Sequence, residues 1–186
     1  ESVDIQRILR EMADRGVRTV AMEASSHGLH QGRTLGCEFD CGVFTNIARD
    51  HLDYHETVEA YLDAKLILFR DYPARSSKPF HAVINADDPS ADAVRAATNG
   101  GTITFGIDSP ADVMASNISV TEESVSFDMT HHAAAVRIQM PIGGFFNVYN
   151  ALAAAAAAIT RGLDLDTISR ALRNAPSVPG RFESIE

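Results

Sequence analysis

Four short apolar runs, each closed by turn-forming residues and set apart by polar or helical stretches, constrain this chain more than any other feature. They occupy residues 17–24, 41–47, 81–86 and 102–105. Runs of this kind suit strands covered on both faces, as in a parallel sheet with helices above and below. Over residues 3–15, Val3, Ile5, Ile8, Leu9 and Met12 follow a helical stripe, and Gly16 stands where a helix-capping glycine belongs. Further helices are predicted over 58–69 and 90–97. With 186 residues, 45% of them apolar, the chain can bury about 70% of its unfolded surface and needs no staples.

Beyond residue 110 the pattern changes. Residues 112–120, 124–129 and 135–140 are short alternating segments, read as an antiparallel meander packed on one face of the domain. Gly143 and Gly144 reset the chain. A helix over 147–158 and a shorter one over 166–174 follow, and 176–180 reads as a linker. The fold class is α/β: a mainly parallel sheet flanked by helices, with a small antiparallel meander. Residues 1–178 form the domain and 179–186 the linker.

Composition excludes several partners. No run of 18 uncharged apolar residues exists, and the alanine-rich 151–159 is too short to span a bilayer, so no membrane role is expected. The N-terminus has neither the basic flank nor the apolar stretch of a signal peptide. Sixteen basic against 25 acidic side chains leave −9, which argues against a nucleic-acid groove. Cys37 and Cys41 form no disulfide framework and suit a reducing cytoplasm. Their spacing, without paired histidines, is poor for zinc, so they read as buried free thiols.

In a doubly wound sheet, ligands lie beyond the carboxyl ends of the strands. Three polar clusters fall there: Glu23 to His27, Thr45 to His51, and Asn85 to Asp88. A carboxylate closing an apolar strand can hold Mg²⁺ beside a nucleotide phosphate. Taken alone, Glu23 reads more simply as a solvated strand end or a helix cap. Arg49-Asp50-His51-Leu52-Asp53-Tyr54-His55 carries the densest chemistry, with imidazole and carboxylate ligands for a divalent ion, or else the capping groups of a loop. Lys65 falls on the apolar stripe of the 58–69 helix, beside Val58, Tyr61, Leu62, Leu66 and Phe69. There it must snorkel, meet an anion or change its ionisation. Carbamylation by CO₂ would turn it into an anionic ligand.

Glu23-Ala24-Ser25-Ser26-His27-Gly28-Leu29, then Gln31-Gly32-Arg33, Phe44-Thr45-Asn46 and Arg49 to His55 together closely resemble the central domain of the Mur ligases. The match is strongest to members that add the third residue of the peptidoglycan peptide. Phe146-Asn147-Val148-Tyr149-Asn150 and Gly180-Arg181-Phe182-Glu183 look like later landmarks of that family. The resemblance implies an ATP-dependent amide ligase acting on UDP-N-acetylmuramoyl-dipeptide and an amino acid through an acyl phosphate. It implies Mg²⁺ at Glu23 and His51, supported by carbamylated Lys65, with Lys65 and His51 as the catalytic groups. Ser25, Gln31 and Arg33 would contact the UDP-muramoyl peptide. Asn147 and Asn150 would lie near the nucleotide, although Asn147 also suits a helix N-cap. Arg181 would reach an ATP phosphate, or stand solvated in the linker.

The chain departs from that family in two respects. No G-x-x-x-x-G-K-[ST] loop occurs, and Glu56 stands where the family usually has glycine. The family carries its P-loop ahead of the 17–24 strand and its amino-acid-selecting domain beyond Gly180. A central-domain fragment, inactive alone, is therefore expected, and the missing strand leaves a sheet flank that invites self-association. Two other functions are compatible with the residues alone. One is a metal-dependent phosphohydrolase using Glu23, Asp50, His51, Asp53 and His55; the other is a non-catalytic nucleotide-sugar-binding module.

Overall fold

The computed structural model describes residues 2–48 and 52–176. Its elements run α1 (Ser2–Asp14), α2 (Ser26–His30), β1 (Cys41–Phe44), α3 (Leu52–His55), α4 (Val58–Arg75), β2 (His81–Asn85), α5 (Ala91–Ala97), β3 (Gly101–Gly106), β4 (Val113–Val120), β5 (Val125–His131), β6 (Ala134–Met140), α6 (Phe146–Thr160) and α7 (Leu165–Arg173). The six strands form one sheet in sequence order. β1 to β4 pair in parallel, and β4, β5 and β6 are antiparallel.

The apolar runs are continuous because the sheet is covered twice. In β2, Ala82 and Ile84 join Phe44, Leu68, Phe69, Tyr72 and Val94 on the side of α4 and α5. Val83 faces the other way, into a cluster with Phe105, Val113, Phe127, Val148 and Leu152 under α6 and α7. All three β2 side chains are fully buried. At about 25 cal/mol per Å² of apolar area, such double burial outweighs the modest strand propensity of the alanine.

The meander extends the sheet instead of packing on its face. Two carboxylates hold the connection between β3 and β4. Asp112 accepts from the Thr104 backbone N–H at 2.7 Å and from its hydroxyl at 2.8 Å, while the Asp112 N–H donates to Thr104 Oγ1 at 2.9 Å. Asp87 accepts from the N–H groups of Ile107 (2.6 Å), Asp108 (3.2 Å) and Ser109 (2.6 Å). These contacts turn the chain tightly enough for Val113 to pair beside Phe105.

Three local departures have physical reasons. Residues 17–25 form no strand among the described residues; Val17, Val20 and Met22 stay exposed, with no neighbouring strand to pair them. α4 continues to Arg75 instead of ending at Phe69, because Tyr72 is buried and docks through its hydroxyl on Thr34. Pro73 is accommodated in its last turn. Glu56 takes φ +63°, the left-handed conformation that glycine adopts without a Cβ penalty. The 179–186 linker lies outside the described residues, and no described helix is long and apolar enough to cross a membrane.

Candidate functional site

The carboxyl ends of β1, β2 and β3 open into a cavity of about 280 Å³. Thr45 and Asn46 follow β1, Asp87, Asp88 and Pro89 follow β2, and Phe146, Tyr149 and Asn150 approach from the first turns of α6. Side-chain bonds stitch the two strand-end loops together. Asn85 donates to the Thr45 carbonyl at 2.7 Å, and Asp88 accepts from the Ile47 N–H at 2.9 Å and the Ser90 N–H at 2.8 Å. The same Asp88 contact to Ser90 fixes the entry to α5.

Asp87 ties this wall to α6. Beyond its three backbone donors it accepts from the Tyr149 hydroxyl at 2.9 Å. Partial burial works against the Asp87 charge, but the N–H donors of Ile107, Ser109 and Asp108 outweigh it and hold the carboxyl below its usual range. Burial, then the neighbouring Asp87, pushes the Tyr149 phenol up to about 12. The pair is thus a carboxylate and a neutral phenol at neutral pH.

α6 begins where Gly143 and Gly144 bring the chain against the 121–122 turn; a Cβ on Gly143 would stand 1.9 Å from the Glu122 carbonyl oxygen. Asn147 does not line the cavity. It is buried, donates to the Gly143 carbonyl at 2.6 Å and accepts from the Asn150 amide at 2.9 Å. Nor is it the N-cap, a position held by Phe145. Its effect is to hold the amide of Asn150, a cavity-lining residue, whose carbonyl oxygen and second amide hydrogen are left over by this contact.

The other candidates gather around α2. Ser25 caps that helix, its hydroxyl accepting from the Gly28 N–H at 3.1 Å. Gln31 and Arg33 follow it on the surface. α2 packs on α4, and α3 bridges the two: His55 Nε2 lies 2.9 Å from the Ser26 hydroxyl, and its ring stacks on Tyr61 at 5.3 Å. Lys65, half-buried on α4, places its ammonium 4.9 Å from the centre of the Tyr61 ring. The lysine on the apolar stripe is therefore supported by an aromatic face.

Glu23 is exposed at the end of the 17–25 segment. Asp50, His51 and Arg181 lie outside the described residues. Among the described residues no group of three or more histidine, cysteine or carboxylate side chains is placed to hold a metal ion. Glu23 offers one hard oxygen donor suited to Mg²⁺, and Lys65 would fit such an ion only as its carbamate. Asp53 is exposed, whereas His55 is buried and engaged by Ser26 and Tyr61, a poor arrangement for a hydrolytic metal ligand. Cys37 and Cys41 are half-buried free thiols, raised by burial despite hydrogen bonds from Gln6 and Thr160 respectively. The cavity draws in Thr45 and Asn46 of the second strand-end cluster and adds Phe146 and Tyr149 as lining groups. Their position at strand ends and in the FNVYN turn was the available signal.

Residues 1–158 match the sequence profile described as "Mur ligase middle domain". The whole chain is 45% identical over 188 residues to the "UDP-N-acetylmuramoyl-L-alanyl-D-glutamate--2,6-diaminopimelate ligase" of Geobacillus thermodenitrificans and 39% identical over 187 residues to that of Listeria monocytogenes. It spans about 38% of the length of each. A solved structure with the same name superposes with a TM-score of 0.87 at 33% identity, covering 96% of this chain and 37% of the other. MurF from Acinetobacter baumannii shares the fold, with a TM-score of 0.72 over 80% of this chain and 32% of its own, at 24% identity.

Proposed function

Since this chain belongs to the Mur ligase middle domain family, we propose that it forms the nucleotide-binding middle of an ATP-dependent amide ligase. The whole protein adds the third residue to UDP-N-acetylmuramoyl-dipeptide. The names of the relatives point to 2,6-diaminopimelate as the incoming amine. The cavity at the strand ends carries the reading, because it combines aromatic walls with an oriented asparagine amide where nucleotides bind in such sheets.

In this reading Asn150 presents its fixed amide edge to the base, between Phe146 and Tyr149. Asp87 and Asp88 shape the cavity without competing for phosphate, since both are spent on N–H and hydroxyl donors. The terminal carboxylate of the dipeptide takes the γ-phosphoryl group of ATP, releasing ADP. The amine then attacks the acyl carbon, the new C–N bond forms, phosphate leaves and the amine loses a proton. Two anions must meet in the first step, so cations and positioning supply the advantage. Ser25, Gln31 and Arg33 hold the muramoyl peptide at α2, and Arg181 approaches a phosphate from the linker. Glu23, His51 and Lys65 as a carbamate would hold Mg²⁺, which when bound neutralises phosphate charge.

Phosphate release by the whole protein tests the proposal. UDP-muramoyl-dipeptide together with the amine should stimulate it strongly, and Lys65→Ala should lower the rate at least tenfold. No stimulation by the UDP-muramoyl peptide would remove the ligase assignment. Phosphatase activity of the 186-residue chain alone with Mn²⁺ would favour the hydrolase instead.

A further inference from the structure

The short turn α3 docks on α2 through two side chains, and neither was expected from the sequence to do so. Tyr54 inserts its ring between two imidazoles one helical turn apart. Its centroid is 4.0 Å from that of His27 and 5.8 Å from that of His30. Its hydroxyl accepts from Gln31 Nε2 at 3.1 Å and lies 3.0 Å from His30 Nδ1. The adjacent His55 reaches the Ser26 hydroxyl from the same turn. The contacts span 23 and 29 residues of sequence, so they fix one loop against another and do not merely satisfy a local turn.

We infer that Tyr54 is a positioning residue for substrate recognition: its hydroxyl sets the amide of Gln31 and the ring of His30 on the α2 surface. The inference rests on the proposed ligase reading and deepens it at the muramoyl-peptide site. With one N–H of the exposed Gln31 committed to Tyr54, its carbonyl oxygen and second N–H are left as an acceptor and donor pair for a ligand. The Tyr54 hydrogen is then directed to His30 Nδ1, which leaves the His30 proton on Nε2. A free glutamine would lose rotamer freedom each time it engaged the peptide. Tyr54 imposes that order in advance. Arg33, exposed beyond Gln31, supplies the charge for the same ligand. The match is to a polar amide or carboxylate of the peptide portion, recognised by a donor and acceptor pair beside a cation.

Tyr54→Phe tests the inference, because it keeps the ring between His27 and His30 and removes only the hydroxyl. In ¹⁵N spectra of the 186-residue chain, the variant should shift the Gln31 side-chain amide and give His30 a mixture of tautomers. In the whole protein, KM for UDP-muramoyl-dipeptide should rise ~10-fold, with kcat and KM for ATP within about twofold. Gln31→Ala should add little further loss in the Tyr54→Phe background, since both remove one oriented group. Unchanged Gln31 and His30 signals would overturn the inference, and so would an equal rise in both KM values. If the whole protein with Tyr54 intact fails to turn over the UDP-muramoyl peptide, the ligase reading falls, while the ¹⁵N spectra still decide whether Tyr54 orders Gln31.

Discussion

Asp87 shows how one side chain can set a loop, a strand and a helix together. Its two oxygens collect three backbone donors and the Tyr149 hydroxyl. Because its folded pKa is depressed, its contribution to stability is fully present above the unfolded value of about 3.9 and is lost as pH falls through the folded value. Asp87→Asn puts an amide donor against these N–H groups. It should lower stability by about 1–3 kcal/mol at pH 7, with the difference narrowing below about pH 4, as measured by urea unfolding across pH. Glu56 is the opposite case, a residue working against its own backbone. Its φ of +63° should make Glu56→Gly stabilising by about 0.5–1 kcal/mol in the same assay, despite the flexibility glycine adds to the unfolded chain. The sequence marked Glu56 through the family's usual glycine, whereas nothing in the letters marked Tyr54 as the partner of Gln31. Hydrogen bonds between residues 23 apart depend on how α2 and α3 meet, and periodicity carries no information about that.

Elements were legible in proportion to how completely they are buried. β2 and β3 follow their apolar runs closely because both faces are covered, and α6 follows its alanine-rich stripe for the same reason. The 17–24 run is equally apolar, yet it stays exposed and unpaired among the described residues, since a strand also needs a neighbour. α2 and α3, of five and four residues, were too short to show a helical period. The alternation marks the three strands of the meander but not their place as a continuation of the sheet, because the Asp87 and Asp112 clasps that carry them there are tertiary. Among the described residues β1 pairs on one side only, with Val43 39% exposed. We propose that this edge mediates the self-association expected from the sequence. Val43→Lys should then shift the 186-residue chain toward monomer in sedimentation experiments; an unchanged distribution would place association elsewhere.

At the scale of the molecule, two apolar clusters clamp one sheet so that its carboxyl ends, α2 and the start of α6 lie in a fixed arrangement. Of the residues named from the sequence, Asn150 lines the cavity, Ser25, Gln31 and Arg33 cluster at α2, and Lys65 lies on α4 over the Tyr61 ring. The sequence did not show that Asn147 turns inward to orient Asn150, or that Tyr149 is tied to Asp87. In the proposed ligase, the cavity beyond β1, β2 and β3 receives the nucleotide. Titration of the ¹⁵N-labelled 186-residue chain with ATP measures this directly. Saturable shifts centred on Asn46, Asp88, Tyr149 and the Asn150 side chain are expected, weakened by Asn150→Ala. Saturable shifts centred instead on the groove between Ser126 and Arg173, or none at millimolar ATP, would exclude nucleotide binding at the strand ends.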